Sequence, residues 1–345
     1  MHALADVVCA CYWAMVGPDD AAQHLRMARE LAQLARDAGD LRLQANGHAS
    51  AMGHLLEQGD LDGSMRELDR LEQLAKARHD RYTRWLVGVI RAMHAHRQGQ
   101  LAAAESFALE AIGQWEDRPP FATPVQVFGA QMMLLRREQG RLHELAEPVA
   151  AVVSHTPDMP VWRCLLANTY AQIGDRDRAE LELKRLGDLS VLPRDAFWLL
   201  AVTTVAAAAS AVNDLGLCRR AYELLVPYTN TVTVAAIVLC EGSASRPLGM
   251  LATTLGHYDE AELYFKRALR MNAQIKSPLW IAHTQRHYAH MLLLRNHRND
   301  HDKALKLLNQ ALVTATELGL DALADNIMLK LPADAGDATR GDVQA

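Results

Sequence analysis

One residue type recurs along this chain at near-constant intervals, with the same kinds of neighbour at the same offsets. Gly59, Gly99, Gly140, Gly174, Gly216 and Gly256 are separated by 40, 41, 34, 42 and 40 residues, and a further 40 reaches Asn296. Glycine and asparagine are the residues that let a helix end in a left-handed conformation. Five positions after each glycine stand Ser64, Ala104, Leu145, Ala179, Ala221 and Ala261; nine after stand Leu68, Ala108, Val149, Leu183, Leu225 and Phe265. Seven before each turn stand Met52, Ala92, Met133, Ala167, Ala209, Gly249 and Ala289. Small side chains there let two helices approach closely, so each unit predicts helix, tight turn, helix, with one apolar stripe per helix.

A period near 40 residues with this pattern predicts an all-α, tetratricopeptide-like solenoid of about eight helical hairpins forming a right-handed superhelix. It spans residues 1–331. The opening unit is less regular: residues 17–39 form its second helix, with Pro18-Asp19-Asp20 as start signal, and the last full unit is followed by a closing helix near 321–331. The tail 332–345 is polar and expected to be disordered. Residues 116–124 and 155–160 are proline-containing connections. The segment 229–242, TNTVTVAAIVLCEG, is rich in valine and threonine and almost uncharged. It has strand propensity but no evident pairing partner, so it is expected to pack on the helices, across the groove.

Composition narrows the function. Half the residues are hydrophobic and the formal net charge is −5, which argues against a nucleic-acid binder working through phosphate contacts. Five scattered cysteines without a CxxC pair fit a reduced, cytoplasmic setting. The longest apolar run, 197–212, is shorter than the ~20 residues of a membrane span, and the apolar N-terminus lacks the basic leading segment of a signal peptide.

FGAQMMLLRREQGRL (128–142), LPRDAFWLL (192–200) and residues 248–296 resemble the C-terminal helical-repeat region of large bacterial signalling ATPases. Those regulators join an ATPase module to a nucleotide-cyclase or LuxR-type DNA-binding domain. The resemblance covers roughly residues 10–330 and implies a sensor or partner-binding element. It carries no catalysis: the chain has no GxxxxGK[ST] and no Gly-Lys pair, so the phosphate-cradling loop is missing, and its C-terminus shows no helix-turn-helix pattern.

The chain holds 15 histidines, densest in HTQRHYAH, where His283, His287 and His290 share one helix face. A metal needs three or four ligands, and the others are not evident, so no metal or other cofactor is expected. Counting back from each turn predicts the side chains on the concave wall. These are Met93, His96 and Arg97; Arg137 and Glu138; Cys164, Asn168 and Gln172; Thr203, Ser210 and Asn213; Ser243, Arg246 and Met250; and His283, Arg286 and His290. Arg246 and Arg286 lie on adjacent hairpins and repel unless an acid lies between them, Asp214 being the nearest candidate; guanidinium also binds carboxylates well. With Asn168, Met250, His283 and His290 they are the expected ligand-binding residues. The histidines should gain charge as pH falls through ~6.5.

Two readings follow. The first is a non-enzymatic interaction or sensor module that binds a protein, a peptide or a small anionic effector in the groove. The second is a small-molecule-binding protein or enzyme whose groove has closed into a pocket lined by His283, Arg286, His290 and Arg246. The opening helix, residues 3–16, carries Leu4, Val7, Val8, Tyr12, Trp13, Met15 and Val16 with only Asp6 charged, and this face is expected to pair two copies of the chain into a homodimer.

Overall fold

The computed structural model describes residues 2–78, 80–114 and 124–329. Most of the proline-rich connection at 116–124, Lys330 and the polar tail lie outside the described residues. Among those described, helices pair into eight successive hairpins: α1 (His2–Met15) with α2 (Ala21–Ala38), α3 (Leu41–Glu57) with α4 (Leu61–Arg78), α5 (Arg81–Arg97) with α6 (Leu101–Gly113), and α7 (Pro124–Glu138) with α8 (Ala146–His155). The second half pairs α9 (Pro160–Gln172) with α10 (Arg176–Leu186), α11 (Trp198–Val212) with α12 (Leu215–Leu225), α13 (Ser245–Thr254) with α14 (Tyr258–Gln274), and α15 (Pro278–Arg295) with α16 (Asp300–Leu318); α17 (Asp321–Met328) closes the array. The all-α repeat fold expected from the sequence is the one observed.

The turns show why the sequence repeats. Gly59, Gly99, Gly174 and Gly256 all have φ between 76° and 84°. At Gly59 the glycine amide donates to Leu56 O and the next amide, Asp60, to Leu55 O; the same two bonds recur at Gly99, Gly174 and Gly256. This satisfies the last carbonyls of the outgoing helix. At two of these turns the next residue is an aspartate that caps the incoming helix, Asp60 accepting from Gly63 N and Asp175 from Arg178 N; Gln100 and His257 hold that place at the others without a side-chain cap. Where the aspartate is present, two consecutive residues stop one helix and start another.

Gly216 departs from expectation. It lies inside α12, and the left-handed residue of that unit is Asn213, with φ 59°. Asparagine tolerates this conformation, and Asp214 behind it caps α12 through Leu217 N at 2.9 Å. The helix interface is as anticipated elsewhere: Ala104, Ala167, Ala179, Ala221, Ala261 and Ala289 are buried. At Gly249 a Cβ would lie 2.7 Å from the Phe265 ring, so glycine sets the closeness of α13 and α14.

Segment 229–242 is also different from expectation. It pairs with itself as an antiparallel hairpin, β1 (Val232–Ala235) with β2 (Leu239–Ser243), joined through Ala236 and Ile237, both at positive φ. Every residue of both strands except Glu241 is buried. A strand covered on both faces has no reason to alternate apolar and polar residues, so the continuous run concealed two strands. The hairpin packs against α3, α5, α11, α14 and α15 and fills the centre of the array.

The array also folds back on itself. Arg97, only 1% exposed at the end of α5, donates to the carbonyls of Ile275 and Lys276 beyond α14, and Ser277 Oγ donates to Arg97 O at 2.7 Å. Helix α15 packs on α5, and α17 on α7. Near the start of the chain, Asp19 joins Arg194 at 2.8 Å and accepts from Tyr228 at 2.6 Å. On α1, Tyr12 and Val16 are buried and Trp13 is half-buried, while Leu4, Val7 and Met15 are exposed.

Ala261 has no exposed surface where α14 meets its neighbours. Ala261→Arg should therefore cost more than about 3 kcal/mol, by overpacking together with an unpaired buried charge. The check is the urea midpoint; a midpoint equal to the parent's would refute the packing register.

Candidate functional site: an arginine-rich cavity inside the array

Closure turns part of the groove into a cavity of about 590 Å³, walled by α7, α9, α11, α13, α15 and α17, with Thr233 and Glu241 of the hairpin also lining it. Asn168, Arg246, Met250, His283, Arg286 and His290 all line it. So do Arg137, Glu138, Gln172, Thr203, Ser210 and Asn213. Five residues expected on the concave wall do not line it: Met93, His96, Arg97, Cys164 and Ser243 are buried elsewhere. The fold-back places α14, α15 and the hairpin over the early helices, so that stretch of wall became core.

Trp280 is the platform of the site. Its Nε1–H donates to Cys240 O at 3.0 Å, which ties α15 to β2. Gly242 makes this approach possible: its φ is 72°, and a Cβ there would lie 2.6 Å from Trp280 Cγ. The guanidinium groups of Arg137 and Arg246 stand over the indole ring, 5.0 and 4.8 Å from its centroid. Such stacking orients both cations and stabilises each by about 0.5–2 kcal/mol.

Around this platform runs a network of charges. Arg137 Nε donates to Glu138 Oε1 at 2.7 Å, and its Nη1 reaches both oxygens of Glu241 at 3.0 and 3.1 Å. Glu138 is 1% exposed and also bonds His283 Nε2 at 2.8 Å. Burial would push its carboxyl up, but His283 and Arg137 outweigh burial and hold it below the usual carboxylate range. An ionised Glu138 only accepts, so His283 carries its proton on Nε2. Burial keeps His283 below the ordinary histidine value despite this partner.

Arg246 and Arg286 are less well matched. The nearest carboxylate oxygen to Arg246 is that of Glu241 at 3.7 Å. Burial, with Arg137 and Arg286 adding repulsion and Glu241 opposing, pushes its guanidinium down to about 10. Arg286 donates to His287 Nε2 at 2.6 Å and forms no ion pair among the described residues; burial lowers it too. Burial and then Arg286 hold His287 well below the usual value, so it accepts as a neutral ring. Arg137 Nη2, Arg246 Nε, Arg286 Nε and His287 Nδ1 are buried without a hydrogen-bond partner. Asp214, the expected acid, caps α12 instead; the acid nearest Arg246 is Glu241, shared with Arg137.

Sequence reasoning did not select Glu241, Trp280 or His287 as site residues. Glu241 had a signal: it is the one charged residue between Glu223 and Arg246. No group of His, Cys, Asp and Glu suited to a metal ion occurs among the described residues, and none of their helices is long and apolar enough to cross a membrane.

Comparison with known proteins agrees with this architecture. Residues 248–275, which contain α14 and the turn before it, match the tetratricopeptide repeat family model. No curated protein matches the chain. Among solved structures, a Rap protein complexed with competence and sporulation factor superposes with a TM-score of 0.52, at 12% identity, over 95% of this chain and 96% of that one. The fold is thus an all-α helical-repeat array, with a tetratricopeptide repeat matched at residues 248–275.

The buried histidines set its acid sensitivity. Burial holds His94 at about 3 and His96 at about 4 in the folded state, far below the unfolded ~6.5. The unfolded chain takes up protons that the folded chain refuses, so their stabilisation is full above 6.5 and declines as pH falls below it. Each should contribute a slope of about 1.4 kcal/mol per pH unit between 6.5 and its folded value. Denaturant midpoints from pH 7.5 to 5 should show this decline, and a flat profile would contradict the burial.

Proposed function

We propose that this protein is a non-enzymatic sensor or interaction module that binds an anionic ligand in its enclosed groove. The observation that carries this reading is the pair Arg246 and Arg286, which line a cavity with no carboxylate of the described residues within hydrogen-bond distance of either. The repeat type supports a protein or peptide partner, as does the resemblance of residues 248–296 to the sensor region of signalling ATPases. A volume near 590 Å³ lies within the range of small-ligand sites, about 300–1,000 Å³. That favours a small effector or a short peptide within the cavity over a folded partner. Asn168, Met250, His283 and His290 complete the proposed site.

Native mass spectrometry of the purified protein should reveal a co-purifying ligand. Arg286→Ala should then weaken its binding by about 1.5–3 kcal/mol, the range for a hydrogen bond to a charged group, measured by calorimetry at low salt. Unchanged affinity would remove the site from consideration. Because burial keeps His283 and His287 neutral, their charging should not tighten binding between pH 8 and 7.

We also propose that the exposed face of α1 pairs two copies of the chain. Leu4, Val7 and Met15 are each about half exposed there: 49%, 57% and 51%. Light scattering should report a dimer that Val7→Glu converts to monomer, and a parent that scatters as a monomer would refute the pairing.

A further inference from the structure

The charged side chains lining the cavity are five: Arg137, Arg246 and Arg286 against Glu138 and Glu241. The carboxylates are deeply placed, with side-chain exposures of 1% and 12%. Before any charge on the lining histidines His283, His287 and His290 is counted, these five leave a single positive charge, borne by the less well paired Arg246 and Arg286. Inside a protein an uncompensated charge is costly, and an over-compensated one is equally so. A dianion would bring a second negative charge close to Glu138 and Glu241 with no cation to meet it.

The protein already shows which acceptor suits this cluster. Glu241 presents two oxygens to Arg137 Nη1 at 3.0 and 3.1 Å, while the same guanidinium stays over Trp280. A carboxylate thus meets one guanidinium nitrogen with both oxygens while the cation stays on the ring, and Arg246 stands over the same ring in the same way; a free carboxylate could meet Arg246 likewise. The wall built by α9 and α11 is neutral and polar: Asn168, Gln172, Thr203 and Ser210 line it. That wall suits a ligand body bearing an amide or hydroxyl.

We infer, resting on the anion-binding reading above, that the cavity takes a monocarboxylate with an amide or hydroxyl near its carboxyl group, and that Glu241 and Glu138 exclude dianions by leaving the arginine cluster one positive charge. A free organic acid and the C-terminus of a short peptide share this chemistry.

The test reads the tryptophan emission of the full chain against that of Trp280→Phe, which separates Trp280 from the other five tryptophans; Arg137 and Arg246 stand over the Trp280 ring. The probes are N-acetylglycine, its uncharged amide, sulfate as a fixed dianion, and an N-acetylated tetrapeptide with a free C-terminus. At pH 7.5 N-acetylglycine should bind at least about tenfold more tightly than its amide or sulfate. A tetrapeptide tighter than N-acetylglycine assigns the carboxylate to a peptide, and the reverse order to a small acid; either supports the proposal. In Glu241→Gln, sulfate affinity should rise about tenfold, because the cluster then carries two positive charges. Glu138→Gln should act the same way if the first variant fails to fold by circular dichroism. Sulfate binding the parent as tightly as N-acetylglycine overturns the monoanion rule but leaves an anion site. The amide binding as tightly as the acid overturns the carboxylate assignment. Emission unmoved by any probe, in the parent as in Arg286→Ala, overturns the anion site itself.

Discussion

A buried guanidinium is costly unless hydrogen-bonded, and two of the bonds Arg97 makes tie distant parts of this chain together, although its Nε is left without a partner. It ends α5 almost without exposed surface, and no carboxylate among the described residues pairs with it. Its partners are the carbonyls of Ile275 and Lys276, the negative end of α14. Those carbonyls belong to a hairpin nearly 180 residues further along the chain, since |i−j| is 178 and 179. An open array of hairpins would leave Arg97 in contact with water. Closing the array gives it two acceptors, and Ser277 returns a hydrogen bond to the Arg97 carbonyl. Contact of α15 with α5 and of α17 with α7 follows from the same fold-back.

Closure creates an interior, and the β-hairpin fills most of it. Its strands are apolar because both faces meet helices. Its turn rests against α3, where a Cβ on Gly53 would lie 2.7 Å from the Ile237 side chain. Its second strand receives the Trp280 indole. What the hairpin does not fill is the cavity, and one end of that cavity is lined by the hairpin's sole charged residue. The array therefore has two kinds of interior: an apolar one sealed by side chains, and a polar one whose arginines outnumber its acids.

Four of the fifteen histidines are held toward their neutral form by burial, two in the core and two beside the cavity. His94, His96, His283 and His287 sit where burial opposes their charged form. Glu138 draws a proton toward His283 without overcoming that opposition. Arginines and carboxylates carry the fixed charges of the cavity.

The periodic signal made the hairpins legible in advance, because helix termini have local rules: a left-handed Gly or Asn, followed at some turns by an aspartate that caps the next helix. Where two residue types can serve, the register slipped, and Gly216 was chosen over Asn213. The side chains of α7, α9, α11, α13 and α15 that line the cavity followed from counting along each helix, a local matter once the period is known. The sequence by itself determined the repeat, its helix-pair unit and the facing of those side chains. Only the tertiary structure decided that α5 meets the end of α14, that the valine-rich segment pairs with itself, and that Glu241 rather than Asp214 stands beside Arg246. Each of these joins groups distant along the chain or depends on burial of both faces of a strand, and neither leaves a periodic trace in the order of residues.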